Sequence, residues 1–415
     1  MSLQFVLGPS GYGKSTYVRN LVTKEASMHR ERNFFLIVPD QFTMQTQMTM
    51  AKNHPDGGIL NIDVLSFGRL THRIFEEVGK PDLALLDDLG KCLILRRVIH
   101  DKEDELRVLK KGIHTPGYVQ EVKSVLSEFM QYGIRPKELK EWIGALTGKD
   151  GEKNTFLIGK LQDFLVLYEG FEEALADQYT TKEETLYCLS DRIPLSAILK
   201  RSVIVFDGFT GFTPLQVRVI RALMENADEV IVTLPLGYAE CRNKEEHTDN
   251  GYQDLFHLTK KTIRDLTKEA TEAAIGIKES IRMTDLPDLR HRFGNAPAIS
   301  RIEKNLFRKD GVPYEGPIEE IVISKTGDET HECMVFLRQM TDLIRRKGYR
   351  YRDMAVVCGN MEAYEDILKV QFEKYKIPYF MDTTTSLIQN PFVATLRLLL
   401  IVLTKDFVYR DVLGL

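Results

Sequence analysis

Short apolar runs alternate with longer segments of helical spacing in the first 80 residues. The apolar runs are residues 4–7, 34–39 and 62–65. The segment after the first run carries Val18, Leu21 and Val22 at the spacing of one helix face. Short runs without polar alternation are typical of strands that are buried on both faces of a parallel sheet. The pattern therefore predicts an α/β fold with a parallel sheet.

A different texture occupies residues 81–198, where long amphipathic segments replace the short apolar runs. The strand pattern returns at residues 202–207 and again at residues 229–234. We therefore predict a discontinuous sheet domain made of residues 1–80 and 199–317, with a helical domain inserted at residues 81–198.

The last third of the chain contains a second alternation of this kind. Residues 241–317 are polar and weakly periodic, which predicts a mixture of surface helix and linker. Apolar runs then appear at residues 320–323 and 354–358, each followed by a helical pattern. This predicts a second α/β domain over residues 318–415. Because the sequence stops inside a further helical run, we expect this domain to be truncated at its carboxyl end.

Composition narrows the class of protein. A chain of 415 residues suggests two or three domains. Hydrophobic residues make up 43% and charged residues 28%, which excludes fibrous and disordered classes. The longest apolar run, residues 398–403, is too short to span a bilayer, and the amino terminus lacks the pattern of an export signal. We therefore expect a cytoplasmic protein.

Charge and cysteine spacing exclude several kinds of site. The net charge of −4 gives no general attraction to nucleic acid, so any DNA contact must be local or depend on a partner. The five cysteines occur singly and never as Cys-x-x-Cys, which argues against disulfides and against a zinc or iron–sulfur site in this chain. No metalloprotease or serine-hydrolase motif is present.

The candidate chemistry follows the first apolar run directly. A Gly-x-x-x-x-Gly-Lys-Ser motif lies between a predicted strand and a predicted helix, which is the context of a phosphate loop. In such a loop the backbone N–H groups and Lys14 bind the phosphates of ATP, and Ser15 is a ligand of Mg²⁺. The predicted ATP-binding residues are Gly8, Pro9, Ser10, Gly11, Tyr12, Gly13, Lys14, Ser15 and Thr16.

A second ligand of Mg²⁺ is predicted at Asp207. This residue ends the apolar run of residues 202–206, and phosphate-loop proteins place a metal-orienting acid at the end of a neighbouring strand. The alternative is that Asp207 is an ordinary residue of a strand-end turn.

Candidate DNA contacts follow the second and third predicted strands. Gln41, Ser66 and Phe67 come where ligands bind in open α/β sheets, and the Phe67 ring is of a type that stacks on a base. An ordinary core position is the equal alternative for Phe67. The basic run of residues 345–352 is more typical of a solvated helix end than of a phosphate-binding surface.

Several segments together resemble the amino-terminal portion of the AddB (RexB-like) family, the B subunits of bacterial AddAB helicase–nucleases. They are residues 8–16, 37–41, 66–70, 205–216 and 353–357. The resemblance implies a RecA-like, superfamily 1 helicase-like fold, a function in recombinational repair of double-strand DNA breaks with Chi recognition, and an AddA-type partner in a heterodimer. It also implies a carboxyl-terminal nuclease domain with an iron–sulfur cluster, which has no counterpart in this chain.

The chain departs from active superfamily 1 motors at separate steps of ATP hydrolysis. Gly208 stands where these motors have the glutamate that aligns water, and Gly359 where they have an arginine. No Gly-Asp-x-x-Gln segment follows residues 230–234. A missing base commonly costs about 10²–10⁴-fold in rate, so we expect ATP binding with at best weak hydrolysis. The alternatives are a free-standing phosphate-loop kinase and a fully active motor.

Overall fold

The protein is described by a computed structural model for residues 1–55, 57–79, 83–115, 117–150, 155–176, 178–248, 251–286, 291–308, 313–381 and 387–414. It consists of two compact units, Met1–Glu320 and Ile321–Leu415. The predicted domain boundary between residues 80 and 81 lies outside the described residues. No described helix is both long enough and apolar enough to cross a membrane.

Parallel pairing organises the first unit. Its strands are β1 (Ser2–Gly8), β2 (Asn33–Ile37), β3 (Ile62–Leu65), β4 (Ala84–Leu85), β5 (Tyr179–Thr180), β6 (Ser202–Phe206), β7 (Glu229–Pro235), β8 (Gly276–Ile277) and β9 (Ile281–Arg282). Among the described residues, seven strands form one sheet in the order β3-β2-β6-β7-β1-β8, with β9 also paired to β1. Every pair in it is parallel, and β4 and β5 form a separate parallel pair. The α/β prediction with a mostly parallel sheet is confirmed.

Helices cover both faces of this sheet. They are α1 (Lys14–Met28), α2 (Thr43–Asn53), α3 (Phe67–Val78), α4 (Asp88–Asp101), α5 (Tyr118–Gln131), α6 (Pro136–Asp150), α7 (Thr155–Leu175), α8 (Lys182–Arg192), α9 (Pro214–Met224), α10 (Tyr238–Asn243), α11 (His257–Glu272) and α12 (Pro297–Asn305). Helices α1 and α2 pack on one face, whereas α3, α8, α9 and α11 pack on the other. Burial on both faces explains why the strands read as continuous apolar runs.

The strand register brings the site residues to one edge. Leu7 pairs with Leu234 across β1 and β7, and Phe206 pairs with Val232 across β6 and β7. The carboxyl ends of these three adjacent strands therefore lie side by side, which is where ligands bind in open parallel sheets.

The region between α3 and β6 is mainly helical and has a core of its own. Buried residues of α4, α5 and α7, including Leu95, Leu126 and Tyr168, form a cluster separate from the sheet clusters. The buried Asp163 carboxylate accepts hydrogen bonds from the backbone N–H groups of residues 107–109 at 2.7–3.1 Å. Helix α8 packs differently, because Leu189 lies in the core beneath the sheet.

Residues 241–317 contribute more to the sheet domain than the sequence predicts. Helix α11 buries Ile263, Leu266 and Ala270 against the sheet, and β8 and β9 extend the sheet beside β1. The expectation of surface helix and linker is therefore wrong for these elements. Strands of two residues are too short to give a recognisable hydrophobic pattern.

The second unit contains α13 (Glu329–Lys347), α14 (Met361–Lys374), α15 (Pro391–Thr404) and α16 (Tyr409–Leu413). Cys333 and Leu337 of α13 pack on Leu368 and Phe372 of α14. The remaining regular elements of the chain are short 3₁₀ helices, namely Asp40–Phe42, Glu103–Glu105, Leu109–Gly112, Ile193–Leu195, Gly251–Gln253, Met283–Asp285, Tyr351–Asp353 and Leu387–Gln389.

The predicted strands of this second unit are corrected by the structure. Within the part of the chain that the structure describes, residues 320–323 and 354–358 pair with no strand, so a second α/β pattern is not formed there. Ile323 and Val357 are 93% and 95% exposed. The physical reason is that a strand is stable only when its backbone hydrogen-bonds to a neighbour, and a local apolar pattern does not provide one.

Candidate phosphate-binding site

The glycine loop, residues 8–16, joins the end of β1 to the start of α1. Gly11 and Gly13 have φ values of 77° and 82°, a region that favours glycine. Gly13 is the N-cap of α1, so no side chain caps the first backbone N–H groups of this helix. The first turn begins with Lys14, Ser15 and Thr16. An uncapped helix start beside a lysine is suited to bind an anion.

Lys14 folds back over this loop. Its Nζ donates hydrogen bonds to the carbonyl oxygens of Gly8 at 2.7 Å and Pro9 at 2.9 Å. Burial lowers the pKa of Lys14, and the nearby charges of Asp207 and Glu303 oppose that shift. The ammonium group is therefore held at the loop by acceptors that a bound anion can replace.

Asp207 and Ser15 come together across the edge of the sheet. The Ser15 hydroxyl donates a hydrogen bond of 2.9 Å to Asp207 Oδ1, and the Thr233 hydroxyl donates one of 2.8 Å to the same oxygen. Asp207 is 2% exposed, and the Arg19 guanidinium lies 3.5 Å from its other oxygen. A hydroxyl and a carboxylate in contact form an oxygen donor pair of the kind that Mg²⁺ prefers.

Gly208 follows Asp207 with a φ of 85°. A side chain with a Cβ is strained in this left-handed region, so a glutamate at this position requires a change of backbone conformation. The structure therefore gives a backbone reason for the glycine that the sequence shows after Asp207.

The segment before α12 covers the outside of the glycine loop. The Arg292 N–H donates a 2.8 Å hydrogen bond to the Gly11 carbonyl oxygen, and the His291 ring stacks on Tyr12 at 4.9 Å. A Cβ added at Gly11 comes within 2.8 Å of the Phe293 ring. Sequence reasoning missed this cover, because its contacts join residues about 280 positions apart and no local pattern marks them.

Thr233 and Arg19 are further site residues that the sequence analysis missed. For Thr233 a signal exists, since a hydroxyl residue interrupts the apolar run of β7 two positions before the strand ends. Arg19 lies four positions after Ser15 and therefore on the same face of α1. Helical spacing from Ser15 gives that position once the site is known.

The three candidate DNA contacts have different environments. Gln41 is exposed on a 3₁₀ helix, Asp40–Phe42, after β2. Ser66 is buried and caps α3 by accepting from the Arg69 N–H at 3.4 Å. Phe67 is 8% exposed, and its ring lies 5.6 Å from that of Phe206. The stacking face of Phe67 is thus covered in this structure, which fits the alternative of a core position.

Elsewhere in the described residues no group of three or more histidine, cysteine, aspartate or glutamate side chains is arranged to hold a metal ion. The basic run of residues 345–352 covers the exposed end of α13 and the following turn. Its placement is that of a solvated helix end.

Cys241 provides a test of burial near the loop. This thiol is 0% exposed, and burial raises its pKa to about 12. Because the thiolate is the reactive form, we expect maleimide to modify Cys241 of the native protein at pH 8 at least about tenfold more slowly than Cys358. Peptide mapping by mass spectrometry measures both rates.

Denaturant provides the control for this labelling prediction, since it should make the two rates similar. Equal rates in the native protein would show that the Cys241 side chain is accessible and would contradict the packing around α10.

The fold and the site together define a parallel α/β protein with an anion-binding glycine loop and a strand-end carboxylate at the same sheet edge. A family model described as "ADDB, N-terminal" matches residues 5–303. The chain belongs to this AddB family. The resemblance that the sequence predicts is confirmed, and the alternative of a free-standing kinase is not supported.

Curated relatives agree with the family model. The chain is 38% identical over 99% of its length to the B subunit of the ATP-dependent helicase/deoxyribonuclease of Lachnoclostridium phytofermentans. It is 32% identical to the protein of the same name from Alkaliphilus oremlandii and 29% identical to that from Bacillus subtilis, again over 99% of its length. The chain spans 35% of the length of each of these relatives.

Proposed function

We propose that this chain is the nucleotide-binding, helicase-like amino-terminal part of the B subunit of an ATP-dependent helicase/deoxyribonuclease. The names of its relatives support this assignment. The observation that carries it is the convergence of Lys14, Ser15 and Asp207 at one edge of a parallel sheet, within hydrogen-bonding distance of the glycine loop or of one another.

ATP and Mg²⁺ fit the residues that are present. The backbone of the glycine loop and the Lys14 ammonium would hold the phosphates, while Ser15 and Asp207 would hold the metal ion. Bound Mg²⁺ supplies charge neutralisation and fixes the orientation of the phosphates. The uncapped amino end of α1 supports the phosphate assignment.

The domain assignment follows from this proposal. Residues 1–80 and 199–317 form a RecA-like phosphate-loop domain, and residues 81–198 are a helical insertion within it. The chain leaves the sheet after α3 and returns to it at β6, which supports an insertion, as does the separate helical core.

The partner and the substrate are part of the same proposal. Relatives named as the B subunit of a helicase/deoxyribonuclease support an AddA-type partner, DNA as the substrate, and a role in the repair of double-strand breaks. We place DNA at the sheet edge near Gln41, which is the exposed member of the three predicted contacts. Ser66 and Phe67 shape this edge through the start of α3.

ATP hydrolysis by this chain is proposed to be weak. Gly208 has no group that aligns or deprotonates water, and a missing base commonly costs about 10²–10⁴-fold in rate. In this proposal bound ATP·Mg²⁺ acts as a structural or regulatory ligand, because a ligand stabilises the arrangement that binds it better.

The test measures binding and turnover separately. A fluorescent ATP analogue is titrated into the 415-residue chain with Mg²⁺, and phosphate release is followed with and without single-stranded DNA. We expect saturable binding and a release rate about 10²–10⁴-fold below that of a motor with the missing base. DNA-stimulated hydrolysis at motor-like rates would refute weak turnover, and absence of saturable binding would refute the nucleotide site.

A further inference from the structure

An acidic side chain lies at the glycine loop in addition to the groups already described. Glu303 is on α12 and is half-buried. Its carboxylate interacts with the backbone N–H of Ser10 and with the charge of Lys14. Both groups belong to the surface that is expected to receive phosphate, so an anion of the protein itself stands at an anion-binding loop.

Contacts on both sides of Glu303 fix α12 against the first unit. Lys304 Nζ lies 4.7 Å from the centre of the Tyr238 ring, and Arg308 forms an ion pair of 2.7 Å with Glu240. Before α12, the Arg292 N–H is bonded to the Gly11 carbonyl oxygen at 2.8 Å. The position of Glu303 is thus set by packed neighbours on α10 and on the loop.

The environment of Glu303 is costly for a carboxylate. Burial raises its pKa, and the Ser10 N–H together with Lys14 and Arg308 opposes that shift. The groups that stabilise this carboxylate are a loop N–H and a loop lysine, which are the groups that bind a phosphate oxygen. Two anions cannot share them without strong repulsion.

We propose that Glu303 is a built-in competitor of the nucleotide phosphates and sets the affinity of the glycine loop for them. The inference rests on the proposed nucleotide binding and goes beyond it by naming a residue that opposes binding. Entry of a triphosphate then requires displacement of the Glu303 carboxylate from Ser10 and Lys14. The effect grows with the charge of the ligand, so it is larger for a triphosphate than for a monophosphate.

The first experiment compares Glu303→Gln with the wild type. Glutamine keeps the shape of the side chain and removes its charge. We expect the variant to bind a fluorescent ATP analogue about tenfold more tightly, and to bind inorganic tripolyphosphate, measured by competition, more tightly by a similar factor. A fluorescent AMP analogue should gain less. The matched control is Glu121→Gln, which removes one charge from an exposed position on α5 and should leave affinity unchanged.

The outcomes separate this inference from the proposed function. If the wild type and Glu303→Gln bind ATP equally, or the variant binds more weakly, the competitor role is refuted while nucleotide binding stands. If neither folded protein binds ATP or tripolyphosphate, both proposals fail. A gain equal for AMP and ATP would refute competition with the outer phosphates.

A measurement on the wild type does not depend on the folding of any variant. Amide hydrogen exchange is followed with and without ATP and Mg²⁺. Displacement of Glu303 should loosen α12, so exchange in Pro297–Asn305 should increase when ATP is bound, while exchange in α1 decreases. Protection of α12 by ATP would contradict the proposal.

Discussion

Replacement of Lys14 by alanine is expected to weaken ATP binding by at least about 100-fold, because the ammonium group is the principal positive charge that the loop offers to phosphate. Lys14 Nζ lies within 2.9 Å of two loop carbonyl oxygens, which places it over the cradle. Titration of the fluorescent ATP analogue in the presence of Mg²⁺ measures the change in Kd.

A control on the same helix separates this loss from a general charge effect. Lys24 is exposed on α1, ten positions after Lys14. Lys24→Ala removes the same charge and should leave Kd within about twofold of the wild type, as surface substitutions usually have small effects. Both variants should melt within a few degrees of the wild type. Wild-type affinity in folded Lys14→Ala would show that the glycine loop is not the nucleotide site.

The central sheet could be predicted because each of its main strands is written locally. Residues 62–65 form β3 as predicted, and residues 202–207 and 229–234 differ from β6 and β7 by one residue at the carboxyl end. In a sheet covered by helices on both faces, every position of a strand is buried. A continuous apolar run therefore carries the whole signal.

The order of the strands has another origin. Strand β6 lies between β2 and β7 in the sheet although more than 150 residues separate it from β2. No periodicity encodes that distance. The pairing is decided by tertiary packing, so from the sequence we predicted the class of the sheet and not its order.

The site was predictable in its glycine loop and in its strand-end acid. The loop has a fixed spacing, and Asp207 follows a strong strand, so both are local signals. The Ser15–Asp207 hydrogen bond joins residues 192 positions apart. Glu303 has no such signal, because α12 reaches the loop only through the folded sheet domain.

The main error concerns residues 320–323 and 354–358. Their composition is that of strands, since valine and isoleucine favour extended backbone. Propensity alone does not form a sheet, because unpaired N–H and C=O groups bond to water at no disadvantage when a segment is exposed. Val322 is 72% exposed, which fits a segment without a packed neighbour among the described residues.

Replacement of Phe206 by alanine is expected to destabilise the sheet domain by about 3–5 kcal/mol, the usual cost of removing a buried phenylalanine ring. Phe206 is 0% exposed at the end of β6, and its ring lies 5.6 Å from both Phe67 and Phe212. The ring therefore supports the start of α3 and the segment before α9 at the same time. Urea denaturation followed by circular dichroism measures the loss.

This substitution also connects the core with the site, because Phe206 precedes Asp207. The Asp207 N–H donates a 2.9 Å hydrogen bond to the Ile37 carbonyl oxygen, so the backbone at this point is held by β2 as well as by packing. We therefore expect Phe206→Ala to lower stability while the folded fraction still binds ATP, with Kd changed by less than about tenfold.

The matched control is Phe156→Ala on α7, where the ring is 72% exposed. It removes the same atoms and should change the free energy of unfolding by less than about 0.5 kcal/mol. Similar losses in the two variants would show that the aromatic cluster around Phe206 does not stabilise the sheet edge. A loss of ATP binding by folded Phe206→Ala, with Phe156→Ala unaffected, would instead show that packing of this ring is what positions Asp207.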